Sequence, residues 1–264
     1  MDSTARQDNS APIEAENLAI GYDGNPLTSG LDLTLQGGIV TALLGSNGTG
    51  KSTLIKTLSG DLAAIEGSVR LGGRPVMEIP RRERARMLAL VTTGSGMTGG
   101  LRVRELVELG RHPHTGYFGR ISGADREAVE RAMHAVGISH KRDSFVASLS
   151  DGERQKVMIA RALAQECPVV IMDEPFSFLD VSARIEILSM LRKIAAERGT
   201  AILYSTHDVA QAMRMADYAW MFFPDRRFTC GTPASLMESG AIDRLFDNPA
   251  IRFSRTQHDF VAAK

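Results

Sequence analysis

The chain has 264 residues, 43% of them hydrophobic, enough for one large core or a core with a modest subdomain. Its 31 basic and 31 acidic side chains cancel, leaving no overall basic footprint for a nucleic-acid partner. Apolar stretches such as Tyr218 to Pro224 fall far short of the about 20 residues that span a bilayer, the polar start from Met1 to Asn17 has no apolar signal core, and Cys167 and Cys230 supply neither a disulfide framework nor a metal cluster, so a cytoplasmic compartment is expected.

After a polar tail over residues 1–12, Ile13 to Ile20 and Leu27 to Leu35 read as strands, separated by the turn residues Gly21, Asp23, Gly24, Asn25 and Pro26. Val40 to Leu44 is a third strand. It feeds Gly45-Ser46-Asn47-Gly48-Thr49-Gly50-Lys51-Ser52-Thr53, with an amphipathic segment beginning at Ser52. Strand, glycine-rich loop and helix are the context of a phosphate-binding loop. Glycines let consecutive N–H groups turn inward onto an anion, and the helix adds the positive end of its dipole. Lys51 then reaches the β- and γ-phosphates while the Ser52 hydroxyl takes a place on Mg²⁺.

Ile65 to Leu71 reads as a further strand, closed by Gly72-Gly73. Gly94 to Gly100 holds four glycines in seven residues and no lysine, so it is not a second loop of the same kind. Beyond it the pattern is helical, first over Val103 to Leu109. From Asp125 to Val136, Ala128, Val129, Ala132, Met133 and Val136 recur at helical spacing, and Gly137 supplies a stop. Residues about 94–157 therefore read as a helical subdomain inserted into a nucleotide-binding core.

The core resumes with a helix from about Glu153 to Gln165 and then the apolar run Val169 to Met172, a strand buried on both faces that ends in Asp173-Glu174. In an open α/β sheet the ligand sits beyond the carboxyl ends of the strands, so these carboxylates are expected in the same crevice as the phosphate loop. Asp173 is then placed to hold Mg²⁺ through a water, and Glu174 to polarise the water that attacks the γ-phosphate. A helix from Ser182 to Arg198, with Ile185, Leu188, Leu191, Ile194 and Ala195 on one face, stops at Gly199. Ala201 to Tyr204 forms another strand, running into Ser205-Thr206-His207-Asp208. His207, at the carboxyl end of a core strand, reads as a γ-phosphate sensor; His112, His114 and His258 read as structural or solvated.

Together with Leu149-Ser150-Asp151-Gly152-Glu153-Arg154-Gln155, which stands directly before a helix, these residues resemble the ATP-binding-cassette ATPases. Phosphate loop, signature-like segment, Asp173-Glu174, Ser177 to Asp180 and His207 follow the family's order over nearly the whole chain. The resemblance implies an α/β fold, a P-loop NTPase (RecA-like) core with an antiparallel β subdomain and an inserted helical subdomain, with residues 13–264 forming a single ATPase domain. It implies ATP and Mg²⁺ as cofactors and a homodimer. In that dimer Ser150 and the Gly152 backbone close on ATP held by the other copy, Asp180 lies at the dimer contact, and Tyr22 stacks on adenine.

Two departures accompany the match. The signature more often reads Leu-Ser-Gly-Gly-Gln, and Asp151 and Glu153 are expected to point outward, where an acid in a first helical turn is favourable by up to about 1 kcal/mol. The glutamine usual at the entrance of the helical subdomain is missing from Leu90-Val91-Thr92-Thr93, leaving Thr93 or Thr92 as its substitute near Mg²⁺.

Leu109-Gly110-Arg111-His112-Pro113-His114-Thr115-Gly116, followed by Gly119-Arg120 and Ser122, reads as a basic, proline-turned surface loop. It resembles the importers of iron-siderophore complexes, haem or cobalamin. That resemblance implies a peripheral ATPase subunit on the cytoplasmic face of the inner membrane, beneath two integral-membrane permease subunits fed by a substrate-binding protein, with no nucleic-acid partner. The alternatives are a soluble ATPase of the same family not coupled to transport, a P-loop phosphotransferase, and a non-hydrolysing nucleotide switch. Copurification with a membrane partner and release of free phosphate separate them.

Overall fold

A computed structural model describes residues 12–92, 100–116, 119–245, 251–254 and 259–262. The tail up to Ala11, the run 93–99 with Thr93, and His258 lie outside the described residues.

β1 (Ile13–Tyr22) and β2 (Asn25–Leu35) form a hairpin whose two-residue turn, Asp23 and Gly24, has φ of 51° and 75°. The strands run up to this turn, with Gly21 paired to Pro26 and Tyr22 to Asn25, so the loop is tighter than its glycine and proline content predicts. β3 (Val40–Leu44) leads to α1 (Lys51–Leu58); β4 (Glu66–Leu71) and β5 (Arg74–Pro75) complete a four-stranded antiparallel sheet in the order β2-β1-β4-β5. Next come α2 (Arg81–Met87) and the short strand β6 (Leu88–Val91).

Between β6 and the strand β7 (Val169–Met172) lie α3 (Val103–Glu108), α4 (Gly123–Ala135) and α5 (Asp151–Ala164), which pack on one another through Val107, Val129, Met133 and Val157. The chain continues through α6 (Val181–Arg198), β8 (Ala201–Thr206), α7 (Val209–Met215), β9 (Tyr218–Phe222), β10 (Phe228–Gly231) and α8 (Pro233–Glu238). The second sheet has six strands in the order β10-β9-β3-β8-β7-β6, parallel except where β10 meets β9.

Period-two alternation explains why this sheet lies in the middle of the molecule. Val40, Ala42 and Leu44 of β3, Val170 and Met172 of β7, and Ile202 and Tyr204 of β8 face the helices α3 and α5–α7. Leu43, Val169, Ile171 and Leu203 face the antiparallel sheet and Leu54, Ile55 and Leu58 of α1. Both faces are covered by apolar groups, so the strands read as continuous hydrophobic runs. In α6 the expected face is corrected: Ala183, Ile187, Leu191 and Ala195 are buried but Ile185 is 45% exposed. A step of two residues from Ala183 turns about 200° around a helix, so Ile185 lies on the far side.

Candidate functional site

The register of the central sheet brings the candidate residues to one edge. Leu44 lies opposite Thr206, and Met172 opposite Tyr204, so β3, β7 and β8 end nearly level and release Gly45, Asp173 and His207 on the same side. Between Gly45 and α1 the backbone turns through left-handed conformations at Gly48 (φ 80°) and Gly50 (φ 108°), the latter capping α1. A side chain at Gly50 would be strained, and a Cβ at Gly45 would stand 2.6 Å from Thr49 Oγ1. Thr49 closes the loop by donating from Oγ1 to Ser46 O at 2.8 Å. Asn47 and Gly48 are exposed at its tip.

Lys51 is buried and folds back over this loop, donating from Nζ to Gly45 O at 2.6 Å and Ser46 O at 3.1 Å. Burial pushes its pKa below the ordinary lysine value, opposed by the nearby carboxylates of Glu174 and then Asp173. The loop, Lys51 and both acids thus share one electrostatic neighbourhood. A helix start, a loop turned by left-handed glycines and a desolvated ammonium together have the chemistry to receive an anion.

Opposite the loop, Ser205 organises the two carboxylates. Its Oγ donates to Asp173 Oδ1 at 2.6 Å and accepts from Glu174 N at 2.8 Å, while Asp173 N donates to Val91 O at 2.8 Å. Ser205 is fully buried and did not stand out in the sequence beyond its place in the polar run that closes β8; a hydroxyl within an apolar strand, one residue short of the strand's end, was the available signal. Glu174 itself has φ 47°, a left-handed backbone that costs a non-glycine residue about 1–3 kcal/mol. The strain is held by Ser205 and by Ser177, whose Oγ donates to Glu174 O at 3.1 Å and to Glu174 Oε2 at 3.3 Å. His207 Nδ1 lies 3.9 Å from Glu174 Oε2 and its side chain is largely exposed.

The sequence profile of the ABC transporter family matches residues 28–177. The chain belongs to that family. This ABC ATPase is 35% identical to the ferric enterobactin transport ATP-binding protein FepC of Escherichia coli, covering 89% of this chain and 87% of FepC. It is 36% identical to the hemin import ATP-binding protein HmuV of Pseudomonas fluorescens, covering 89% of this chain and 92% of HmuV. Among solved structures, an ATP-binding subunit of an ABC transporter superposes with a TM-score of 0.77 at 27% identity over 90% of this chain and 98% of that one, and an inward-facing metal-chelate type ABC transporter with a TM-score of 0.78 at 26% identity over 95% of each chain. The fold expected from the motifs, a P-loop NTPase core with an antiparallel sheet and inserted helices, is therefore the fold of this ABC ATPase, which binds and hydrolyses ATP.

Around the loop, Tyr22 ends β1 rather than lying in a turn, is 45% exposed, and its OH accepts from Thr53 Oγ1 at 3.4 Å. Ser52 is exposed in the first turn of α1. Thr92 follows β6, next to the Val91 carbonyl that holds Asp173.

Ser150 caps α5, its Oγ accepting from Glu153 N at 3.3 Å. A Cβ at Gly152 would meet Phe178 O at 3.3 Å, so the signature helix begins against the turn that leads to Asp180. Asp180 caps α6, accepting from Ala183 N at 2.8 Å. Arg184 ties this turn to the one after His207, donating to Leu179 O at 3.1 Å and to Asp208 Oδ2 at 3.2 Å. The expectation that both signature acids point outward is corrected. Asp151 is exposed and pairs with Arg154 at 2.8 Å, but Glu153 turns back, its Oε2 accepting from Ser150 N at 2.9 Å. Three residues of spacing make this a capping box, in which the carboxylate satisfies a helix-start N–H that would otherwise face solvent.

The segment from Leu109 to Gly116 is also corrected: its basic character is largely internal. Arg111 is buried, donating to Asp125 Oδ1 at 2.8 Å, Ala164 O at 2.7 Å and Glu166 Oε2 at 2.9 Å. His114 Nε2 meets Gln165 O at 2.8 Å, and Arg86 of α2 donates to Pro113 O at 2.8 Å. Gly110 is needed here because a Cβ would lie 2.2 Å from Arg161 O of α5. The segment clamps α2, α4 and α5 together rather than presenting charge to solvent.

Proposed function

We propose that this ABC ATPase powers a membrane importer for an iron chelate (siderophore), haem or cobalamin, with two copies sandwiching ATP between the Lys51 loop of one and Ser150 of the other. The observation that carries the reading is the convergence of Lys51, Asp173, Glu174 and His207 on one sheet edge, in a chain whose relatives serve enterobactin and hemin transport. In this reading α3, α4 and α5 belong to the helical subdomain expected over residues about 94–157. Integral-membrane permease subunits, supplied by a substrate-binding protein, complete the transporter, and the ATPase sits peripherally on the cytoplasmic face of the inner membrane. Among the described residues no helix is long and apolar enough to cross a membrane, so in this reading spanning falls to those partners.

The geometry supports the following roles in this reading. Backbone N–H groups from Gly45 to Thr53 and the Lys51 ammonium hold the phosphates, the ammonium leaving the Gly45 and Ser46 carbonyls for phosphate oxygens. Tyr22 stacks on adenine. Glu174, fixed through Ser205 and Ser177, accepts the proton of the water whose oxygen bonds to the γ-phosphorus, while the bond from phosphorus to the ADP oxygen breaks. His207 contacts the γ-phosphate beside it. Asp180 closes the contact between copies.

The donor set fits Mg²⁺. The Ser52 hydroxyl and the Asp173 carboxylate are hard oxygen donors that would hold it, with a further hydroxyl from Thr92, which follows β6, or from Thr93, which lies outside the described residues. Bound there, Mg²⁺ neutralises charge on the phosphates.

Glu174→Gln tests the reading. It is expected to keep ATP binding and dimer closure while turnover falls by about 10² to 10⁴. Copurification of the wild-type chain with a polytopic permease, and ATP-dependent uptake of an iron chelate, haem or cobalamin into vesicles, test the transport role. Undiminished turnover in Glu174→Gln, or full activity as a solitary particle, overturns it.

A further inference from the structure

The turned-back Glu153 creates a difficulty for the sandwich. Its Oε2 accepts from both Ser150 N at 2.9 Å and Ser150 Oγ at 3.1 Å, so the hydroxyl that would donate to a phosphate of the other copy is already donating to a carboxylate of its own helix. An incoming phosphate and this carboxylate compete for one proton and repel each other, the more strongly as closure excludes water. The other acid of the first turn is balanced by Arg154. Among the described residues Glu153 has one cationic partner of its own: Lys141, from the turn after α4, whose Nζ lies 3.1 Å from Oε1, the oxygen that Ser150 does not use. Both side chains sit at the rim, 37% and 28% exposed, so the pair can adjust without unpacking a core. The Ser150 backbone N–H first, and Lys141 next, hold the Glu153 carboxyl below the usual glutamate range, keeping it charged at neutral pH.

We propose that Lys141 is a positioning residue for the ATP sandwich: it grips Glu153 through Oε1, so that the Ser150 hydroxyl can turn from Glu153 to the phosphate of the opposing copy without leaving an unpaired carboxylate beside it. The inference rests on the dimer reading above. It makes the two-oxygen division of Glu153 functional, one oxygen shared with Ser150 and released on closure, the other kept by Lys141 throughout.

The test uses the full chain carrying Glu174→Gln, in which ATP closes the dimer without being consumed, and reads by light scattering the ATP concentration at half-maximal dimer. Adding Lys141→Met is expected to raise that concentration by about twofold to fivefold, the effect of losing one rim pair per site. Binding of a fluorescent ATP analogue to dilute, separate copies is expected to stay unchanged, since the Lys51 loop is untouched. Lys141→Arg should restore the midpoint. So should Lys141→Met combined with Glu153→Gln, because glutamine keeps the capping box and carries no charge. A dimerising parent whose midpoint Lys141→Met leaves unmoved overturns the inference alone, as does a loss that Glu153→Gln fails to relieve. A parent that stays monomeric at every ATP concentration overturns the sandwich and this inference with it.

Discussion

Ser205 Oγ donates to Asp173 Oδ1 at 2.6 Å and in the same position accepts from the Glu174 backbone N–H at 2.8 Å, so one hydroxyl on β8 sets the orientation of both acids at the end of β7. Ser205→Ala removes a hydrogen bond to a charged group, worth about 1.5–3 kcal/mol, and releases the strained Glu174 backbone. We expect kcat to fall about tenfold to a hundredfold with a smaller change in ATP affinity, measured by steady-state phosphate release and by calorimetric titration. Wild-type kcat would show that the carboxylates hold their positions without Ser205.

Lys51 Nζ donates to Gly45 O at 2.6 Å and to Ser46 O at 3.1 Å, contacts that phosphate oxygens would replace. Lys51→Ala removes charge-assisted contacts worth about 1.5–3 kcal/mol each, so ATP affinity should fall at least tenfold. Equilibrium titration with a fluorescent nucleotide checks it. Unchanged affinity would mean that the nucleotide binds elsewhere.

Much of the site was legible because its chemistry sits where apolar runs end. Val40 to Leu44, Val169 to Met172 and Ala201 to Thr206 are buried on both faces, so the polar residues that break each run necessarily emerge at one edge of the sheet. What was illegible depends on pairing across long separations. Four residues, Leu88–Val91, become a strand only because β7 offers a parallel edge, and nothing in an arginine-rich stretch followed by Thr92 announces it. Arg111 looked like a surface charge because its partners, Asp125 and Glu166, lie 14 and 55 residues away. Glu153 was misread for the opposite reason: a local capping box, visible as Ser and Glu three apart, outweighed the preference of a carboxylate for solvent.

Asp125 gives the protein a pH-dependent clamp. Hydrogen bonds from the Ser122 hydroxyl and backbone, and the Arg111 guanidinium, lower its pKa from the ordinary aspartate value to about 2 against the opposing effect of burial. Because the folded pKa is depressed, the stabilisation is present above the unfolded aspartate value near 4 and is lost as pH falls toward 2. Asp125→Asn should therefore cost about 2 kcal/mol at pH 7, and the gap to wild type should close between about pH 4 and pH 2. Urea denaturation across that range measures it; a gap independent of pH would assign the loss to packing instead.

Tyr204 carries the last prediction. Its ring lies fully inside the core, edge-on to Phe176 with centroids 5.3 Å apart, and its OH has no hydrogen-bond partner among the described residues. Burial pushes the phenol's pKa well above its ordinary value, with the carboxylates of Asp208 and Asp217 adding to the effect, so the group stays neutral and its hydroxyl is simply desolvated. Removing a buried hydroxyl that makes no bond recovers desolvation free energy and leaves the ring contacts in place, at the expense of a void smaller than a water molecule. Tyr204→Phe should be neutral or stabilising by up to about 1 kcal/mol, with melting temperature unchanged or raised by a few degrees. Differential scanning calorimetry decides the sign. A loss of about 1 kcal/mol or more would mean that the OH is satisfied by a buried water, since only a bonded hydroxyl is costly to delete.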